Sequence, residues 1–585
     1  MSQLKHRGPN DEGTFFHENV GLGHLRLSIL DLSPAGHQPM FSPDRRYCII
    51  YNGEVYNYLE LRQELQGKYS FKTGTDTEVI LAAYQEWGEA CLHKFNGMFA
   101  FVIYDQVEQV VFGARDRFGI KPFYYFQDPE KFLFASEIKA ILAVLPQRQP
   151  NEKAIFEFLI YNRTDQTEET FFEKIFKLKH GHFFTIANNQ LKIRQWYNLR
   201  EKLGENGLTA DEFHEHLKAS IKLRLRSDVP VGVCLSGGLD SSSIVAILLK
   251  EFGKSDLHTF SAVYGEQETA DESRFIREFD QQLTNMHYTF PTGETLYNDL
   301  ESFIRAQSEP VASIGPYAQF KVMELARENV VVTLDGQGAD EQLAGYHYFF
   351  GSNMKELLRR QQYHRFVHEA LAYLFKHQSL HAFKYLAYYS LPVSWKKKVG
   401  RQIYGSVSKD FFNRLNHTSQ IDADLYHPNS LNESLLQHFE FKLEHLLKWE
   451  DHNGMWFSIE PRVPFLDHQL VEKTLAASPD KIICNATNKY ILRAALKDIL
   501  PEKIRQRRDK KGFSTPSDKW FRLKKFEDLI ISTIHSPSFK QRGYFNVEAS
   551  HQRYQRHLAG NLDCAKDIWK WLNLEIWFRI FIDYQ

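Results

Sequence analysis

The chain has 585 residues, 43% of them hydrophobic and 25% charged, the balance of a globular protein that can bury a large core and divide into two or three domains. Its formal net charge of −1 excludes a global field that would hold it on nucleic acid or acidic lipid. The five cysteines (Cys48, Cys91, Cys234, Cys484, Cys564) form no CxxC pair and no short framework, and no uninterrupted apolar run of about 18 residues or apolar leader occurs, so a reducing, cytoplasmic setting without a membrane partner is expected.

In chain order, short apolar runs bounded by turn residues predict strands at 47–51, 98–104, 109–112 and 131–134, with helices over 58–65 and 77–87, an α+β layered arrangement. A polar stretch at 198–206 reads as the linker, dividing the chain into 1–198 and 199–585. Beyond it a helix at 208–225, a β-branched strand at 229–235, a helix at 241–252 and strands at 257–263 and 330–334 predict a parallel sheet covered by helices. From about residue 345 the pattern is helical, ending in an aromatic-rich amphipathic helix at 568–582.

The strand at 229–235 runs into Ser236-Gly237-Gly238-Leu239-Asp240-Ser241-Ser242. Two glycines let the backbone turn tightly, and free N–H groups, hydroxyls and a helix start form an anion site. Asp240 would repel a phosphate there unless a cation such as Mg²⁺ lay between them. A second acidic turn, Asp335-Gly336-Gln337-Gly338-Ala339-Asp340-Glu341, follows the strand at 330–334, where ligands bind in open α/β sheets, and Asp340 is the candidate second metal ligand. Cys234 reads as a small core residue. The basic run 505–511 reads as a solvated face or an aid to phosphate binding, not a nucleic-acid site. Histidines are numerous, but no HExxH occurs, so a zinc site is not expected.

These motifs, with EPRVPFLD (460–467), NKYILR (488–493), KKGFS (510–514) and WLNLEIWFR (571–579), resemble those of glutamine-dependent asparagine synthetases, class II amidotransferases. HRGPNDEG (6–13), LGHLRLSILD (22–31), YNGEVYN (51–57), TGTDTEVIL (73–81), GMFAFVIYD (97–105) and ARDRFGIKPFYY (114–125) extend the likeness through the first half. The resemblance implies an N-terminal-nucleophile-type α+β sandwich, incomplete at its start, then an adenine nucleotide α-hydrolase-like parallel sheet with a helical C-terminal part. It implies that aspartate, ATP and ammonia or glutamine are the substrates, with Mg²⁺ as cofactor, and it leaves room for a homodimer. ATP contacts would come from Leu235, Ser236, Gly237, Gly238, Leu239, Asp240, Ser241, Ser242, Val263 and Gly336. Catalysis would use Asp240, Asp340, Lys489 and Arg462, the last two near the acyl-adenylate.

Glutamine would be held by Arg26 at its α-carboxylate and by Glu54 and Asp76 at its ammonium, with Asn52 and Gly53 as the oxyanion hole. The family's nucleophile is an N-terminal cysteine, and the first cysteine here is Cys48, inside a strand. The chain as written is therefore expected to work with ammonia, with Ser2 a poor substitute nucleophile and a sheet edge left open. Gln337 stands where some relatives carry Glu and cannot serve as a base, which leaves a β-lactam synthetase-like cyclase, or an amidotransferase acting on a sugar or peptide carboxylate, as the rival reading.

Overall fold

The computed structural model describes all residues except 205–206, 266–267, 393–404, 420, 422–427, 510–514 and 584–585. The KKGFS motif, the last two residues of the basic run and the end of the expected linker lie outside the described residues.

The first half is built on a six-stranded antiparallel sheet, in the order β11 (Gln190–Gln195), β10 (His182–Ala187), β6 (Val110–Arg115), β5 (Gly97–Asp105), β4 (Tyr47–Val55), β3 (Met40–Phe41). Strand β5 reads Gly-Met-Phe-Ala-Phe-Val-Ile-Tyr-Asp without polar alternation because both its faces are covered. Phe99, Phe101 and Ile103 join the core under the helices Tyr58–Leu65 and Asp76–Trp87. Ala100, Val102 and Tyr104 point into a second core. That core is shared with the hairpin of β1 (Asp11–His17) and β2 (Val20–Arg26) and with the sheet β8–β7–β9 (Phe132–Ala135, Tyr124–Gln127, Ile175–Lys177). The helix Ile138–Leu142 covers that second layer, giving the helix–sheet–sheet–helix sandwich expected from the resemblance.

The second half holds a five-stranded parallel sheet in the order β14 (Asn285–Thr289), β13 (His258–Ala262), β12 (Val231–Cys234), β15 (Val332–Leu334), β16 (Glu460–Arg462). The chain leaves β12 toward β13 on one side and later returns to β15 on the other. The order reverses between β12 and β15, and the crevice at their C-terminal ends is where such sheets bind ligands. Strands β14 and β16 were not foreseen. Asn-Met-His-Tyr-Thr is too polar to read as a strand, and Glu-Pro-Arg is three residues with a proline that only an edge position tolerates.

The last helix, Ala565–Phe581, is not amphipathic as expected. It is buried around nearly its whole circumference, and Glu575 is neutralised inside by Arg542 at 2.8 Å. Trp577 packs on Phe172 of the first half, with ring centroids 5.1 Å apart. No helix among the described residues is long and apolar enough to cross a membrane.

The two halves also meet through a buried belt of ions. Arg7 Nη1 donates to Asp451 Oδ2 at 2.8 Å, Arg115 Nη1 to Glu444 Oε1 at 2.7 Å, and Lys448 lies 2.7 Å from Asp165 Oδ2. The neighbouring cations hold Asp451, Glu444 and Asp165 below the usual carboxylate range despite the opposing effect of burial.

Candidate active site

Residues 236–242 leave the end of β12 in a turn that Gly237 makes at φ 71°, and the helix Leu239–Phe252 starts directly behind it. Ser241 closes the turn, its Oγ accepting from Ser236 N at 3.2 Å and lying 3.1 Å from Ser236 Oγ. Leu235 is wholly buried, Val263 follows the end of β13, and Gly336 packs so tightly on Asp240 that a side chain there would press on its Cβ at 2.9 Å. The expected nucleotide residues thus line the C-terminal ends of three adjacent strands.

Asp240 and Asp340 converge on a single cation, and it is a lysine. Lys489 Nζ lies 2.5 Å from Asp240 Oδ1 and 2.5 Å from Asp340 Oδ1. The backbone of Lys489 takes a left-handed conformation (φ 52°), N-capping the helix Tyr490–Ala495, and its N–H donates to Leu343 O at 3.1 Å. Gly345 makes the arrangement possible, since any side chain there would overlap the Asp340 carboxylate.

Two arginines that composition alone could not single out stand behind the loop. Arg507 Nη1 donates to Gly237 O at 3.0 Å, and Nη2 pairs with Glu272. Arg507 belongs to the basic run expected to be a solvated face or an aid to phosphate binding; it is buried, its guanidinium stacked on Phe275 at 4.2 Å. Arg493 of the NKYILR motif is pushed down to about 10, first by burial and then by other arginines, against the opposing pull of Asp240.

Beneath the crevice lies a pair of buried carboxyls. Burial, then the charge of Asp335, raise Glu450 well above its ordinary value, and burial raises Asp335, with Gln337, Gln319 and Cys234 packed around them. Burial also raises the Cys234 thiol well above its ordinary value. Gln319 and Gln337 are thereby brought to one carboxyl cluster.

In the first half Arg26, Asn52, Gly53, Glu54 and Asp76 all line one cavity of about 380 Å³. Gly53 is required there. Its φ is 143°, and a side chain would run into the carbonyl of Met98 on the paired strand. Asn52 Nδ2 and His24 Nδ1 are buried with no hydrogen-bond partner. Arg26 donates to Ser33 O at 2.9 Å, Leu30 O at 3.2 Å and Asp31 O at 2.5 Å. Asp76 Oδ2 accepts from Val55 N at 2.8 Å and Tyr51 Oη at 2.9 Å, yet burial still pushes this carboxyl up to about 6. Burial, then Asp76, raise Glu54 well above its ordinary value against the pull of Arg462. Met1, Leu4 and Arg7, around the short helix Ser2–Arg7, form part of the wall, and Ser2 is outside it. Cys48 is wholly buried, its thiol pushed up to about 12 by burial, so it supplies no nucleophile.

Arg462 lies apart from Lys489. It sits on β16 with its guanidinium wholly buried between the halves, donating to Glu460 Oε1 at 2.9 Å and to the carbonyls of Arg224 and Arg226 at 2.9 and 2.6 Å. Its remaining arm faces Glu54 Oε1 at 3.3 Å.

Comparison with known proteins follows this division. Residues 1–197 match the glutamine amidotransferase domain model and residues 212–579 the asparagine synthase model. The chain is 31% identical to asparagine synthetase (glutamine-hydrolyzing) 1 of Bacillus subtilis over 617 aligned residues, covering 100% of this chain and 93% of that one. It is 35% identical to a putative asparagine synthetase (glutamine-hydrolyzing) 2 of Methanocaldococcus jannaschii, covering 61% of this chain and 73% of that one. A fungal protein, amidase chry2 of Gibberella zeae, is 28% identical over 89% of this chain and 85% of its own length.

Proposed function

We infer, from the premise that the chain belongs to the asparagine synthase family, that it is an ATP-dependent carbon–nitrogen ligase making asparagine from aspartate with ammonia or glutamine as nitrogen source. A carboxylate is a poor electrophile, so the aspartate side chain first attacks the α-phosphate of ATP and leaves as an acyl-adenylate with pyrophosphate. Nitrogen then attacks the acyl carbon, and AMP departs. The rival acceptors gain no support over aspartate, because the relatives covering the whole length carry the asparagine synthetase name.

For the first step, the N–H groups at 239–241, at the start of the helix, and the hydroxyls of Ser236, Ser241 and Ser242 would hold the departing pyrophosphate. Asp240 and Asp340 would hold Mg²⁺. Two carboxylates from adjoining strand tips suit that ion, which takes few protein ligands and completes its shell from phosphate oxygens and water. When bound, it neutralises charge on the phosphates. Lys489 would then turn from the two aspartates toward the adenylate, carrying its positive charge to the developing one. Arg507 holds the loop from behind and Arg493 adds positive charge.

In the cavity, Arg26 would take the α-carboxylate of glutamine in exchange for part of its carbonyl bonds. Glu54 and Asp76 would face the ammonium, and Asn52 Nδ2 with Gly53 N–H would receive the oxyanion. Free cysteines throughout the described chain support a cytoplasmic setting.

The observation that carries the reading is Lys489 between Asp240 and Asp340 at the reversal of strand order. Its test is to supply Mg²⁺, ATP and aspartate with either glutamine or ammonium, and to follow AMP, pyrophosphate and asparagine. AMP formation that does not depend on aspartate, or ADP in place of AMP, would defeat it.

A further inference from the structure

The cavity of the first half is not made by the first half alone. Met455 and Glu460, from the second half, are part of its wall. Glu460 adds a third carboxylate whose charge acts on both Glu54 and Asp76. Against Glu54 and Glu460 stands Arg462, which is bound to Glu460 at 2.9 Å and faces Glu54 at 3.3 Å with an Nη2 that lacks hydrogen-bond geometry to any acceptor. Lys121 is the other cation at hand, 3.7 Å from Glu460 Oε2 and 3.5 Å from Asp451 Oδ1.

Both Glu460 and Arg462 belong to β16, which pairs in parallel with β15 from Val332↔Glu460 to Leu334↔Arg462. One residue further, Asp335 N donates to Arg462 O at 2.8 Å. Asp335 opens the turn that carries Asp340 and packs Gly336 on Asp240. One three-residue strand therefore has its side chains at the amino-acid cavity and its backbone on the nucleotide turn.

We propose that β16 couples the two sites: Glu460 completes the pocket for the ammonium of an α-amino acid, and Arg462 is the positioning residue that transmits occupancy to the turn at 335–340. An ammonium entering among Glu54, Asp76 and Glu460 competes with Arg462 for Glu54 and Glu460. The guanidinium is held on its other side by the carbonyls of Arg224 and Arg226, so a change in its pairing falls on the β16 backbone and, through the bond to Asp335 N, on the nucleotide turn. The coupling is reciprocal, so nucleotide binding alters amino-acid affinity by the same factor. This rests on reading the cavity as an amino-acid site.

The test uses the full chain and titrates glutamine by calorimetry with and without saturating Mg²⁺ and α,β-methylene-ATP, whose α–β bridge cannot be cleaved to release pyrophosphate. Glutamine affinity is expected to change at least fivefold when the nucleotide analogue is bound, a typical coupling. Glu460→Gln and Arg462→Lys, which keep size and charge respectively, are each expected to reduce that ratio below twofold while the analogue's own affinity in the absence of glutamine stays within threefold of the parent. A parent ratio near one, or variants that keep the parent ratio, overturns the coupling and leaves the cavity reading intact. Analogue binding with no glutamine binding at all, under either condition, overturns the cavity reading and the coupling together.

Discussion

At the strand tips of the second half, Asp240 and Asp340 each touch the ammonium of Lys489 at 2.5 Å. In the first-half cavity, Glu54 and Glu460 face one guanidinium that is shared with backbone carbonyls, and burial lifts Asp76 to about 6 and raises Glu54 well above its ordinary value. On the proposed reading, the difference follows the charge each site would receive. A pocket for a cationic group would keep its acids incompletely compensated, so that the ligand supplies what is missing, and a site for a polyphosphate would hold a cation to share with the ligand. Both arrangements differ from the ion belt between the halves, where acids and bases are matched and the acids stay charged.

Removing the acids at the strand tips should have the largest effect. Replacing Asp240 and Asp340 together with alanine is expected to lower aspartate-dependent AMP formation by about a thousandfold or more, the scale of losing a preorganised electrostatic contact. Pyrophosphate release in a stopped assay measures it, and an unchanged rate would remove the distinction between the two regions.

Next comes the belt, where Asp451→Ala strands Arg7 against Glu137 alone. It is expected to cost about 3–5 kcal/mol of stability, as for other broken buried pairs, read from denaturant or thermal unfolding. The sign with pH follows from the depressed Asp451. Its contribution is present above the unfolded carboxylate value and is lost as pH falls through and below it, so parent and variant should converge in acid.

Arg26→Gln should weaken glutamine binding about ten- to a hundredfold, the loss of a charged hydrogen-bonded contact, without altering ATP-analogue binding. The smallest expected effect is with pH. Because Asp76 is raised to about 6, glutamine affinity should hold steady above neutrality and fall by up to about tenfold per unit below pH 6, as the proton competes with the ligand's ammonium. Asp76→Asn should flatten that profile. A profile that falls only below pH 4 would show the cavity acids to be as well compensated as those of the belt.

Legibility followed chemistry more than position. The loop 236–242, Asp340, Lys489 and the five cavity residues stand in local motifs, and the structure gathers them into the two groups anticipated for them. Arg462 stands in a motif of equal clarity, yet it lies between the halves, because its direction is set by three residues of edge strand. Arg507 was hidden in a run that looked solvated, and Glu450 in a helix with nothing to mark it. Their burial depends on Phe275, Asp335 and Gln337, remote in the chain.

The sequence by itself determined the local matters: which strands are apolar on both faces, where glycine must turn the chain, and which short motifs carry acids and hydroxyls beside a helix start. These depend on neighbours a few residues away and on backbone sterics. Only the tertiary structure decided that one lysine closes both aspartates, that two acids of the cavity stay raised, and that a wall of that cavity comes from the other half. Those outcomes depend on burial and on charges brought together across hundreds of residues, and neither is a property of any segment alone.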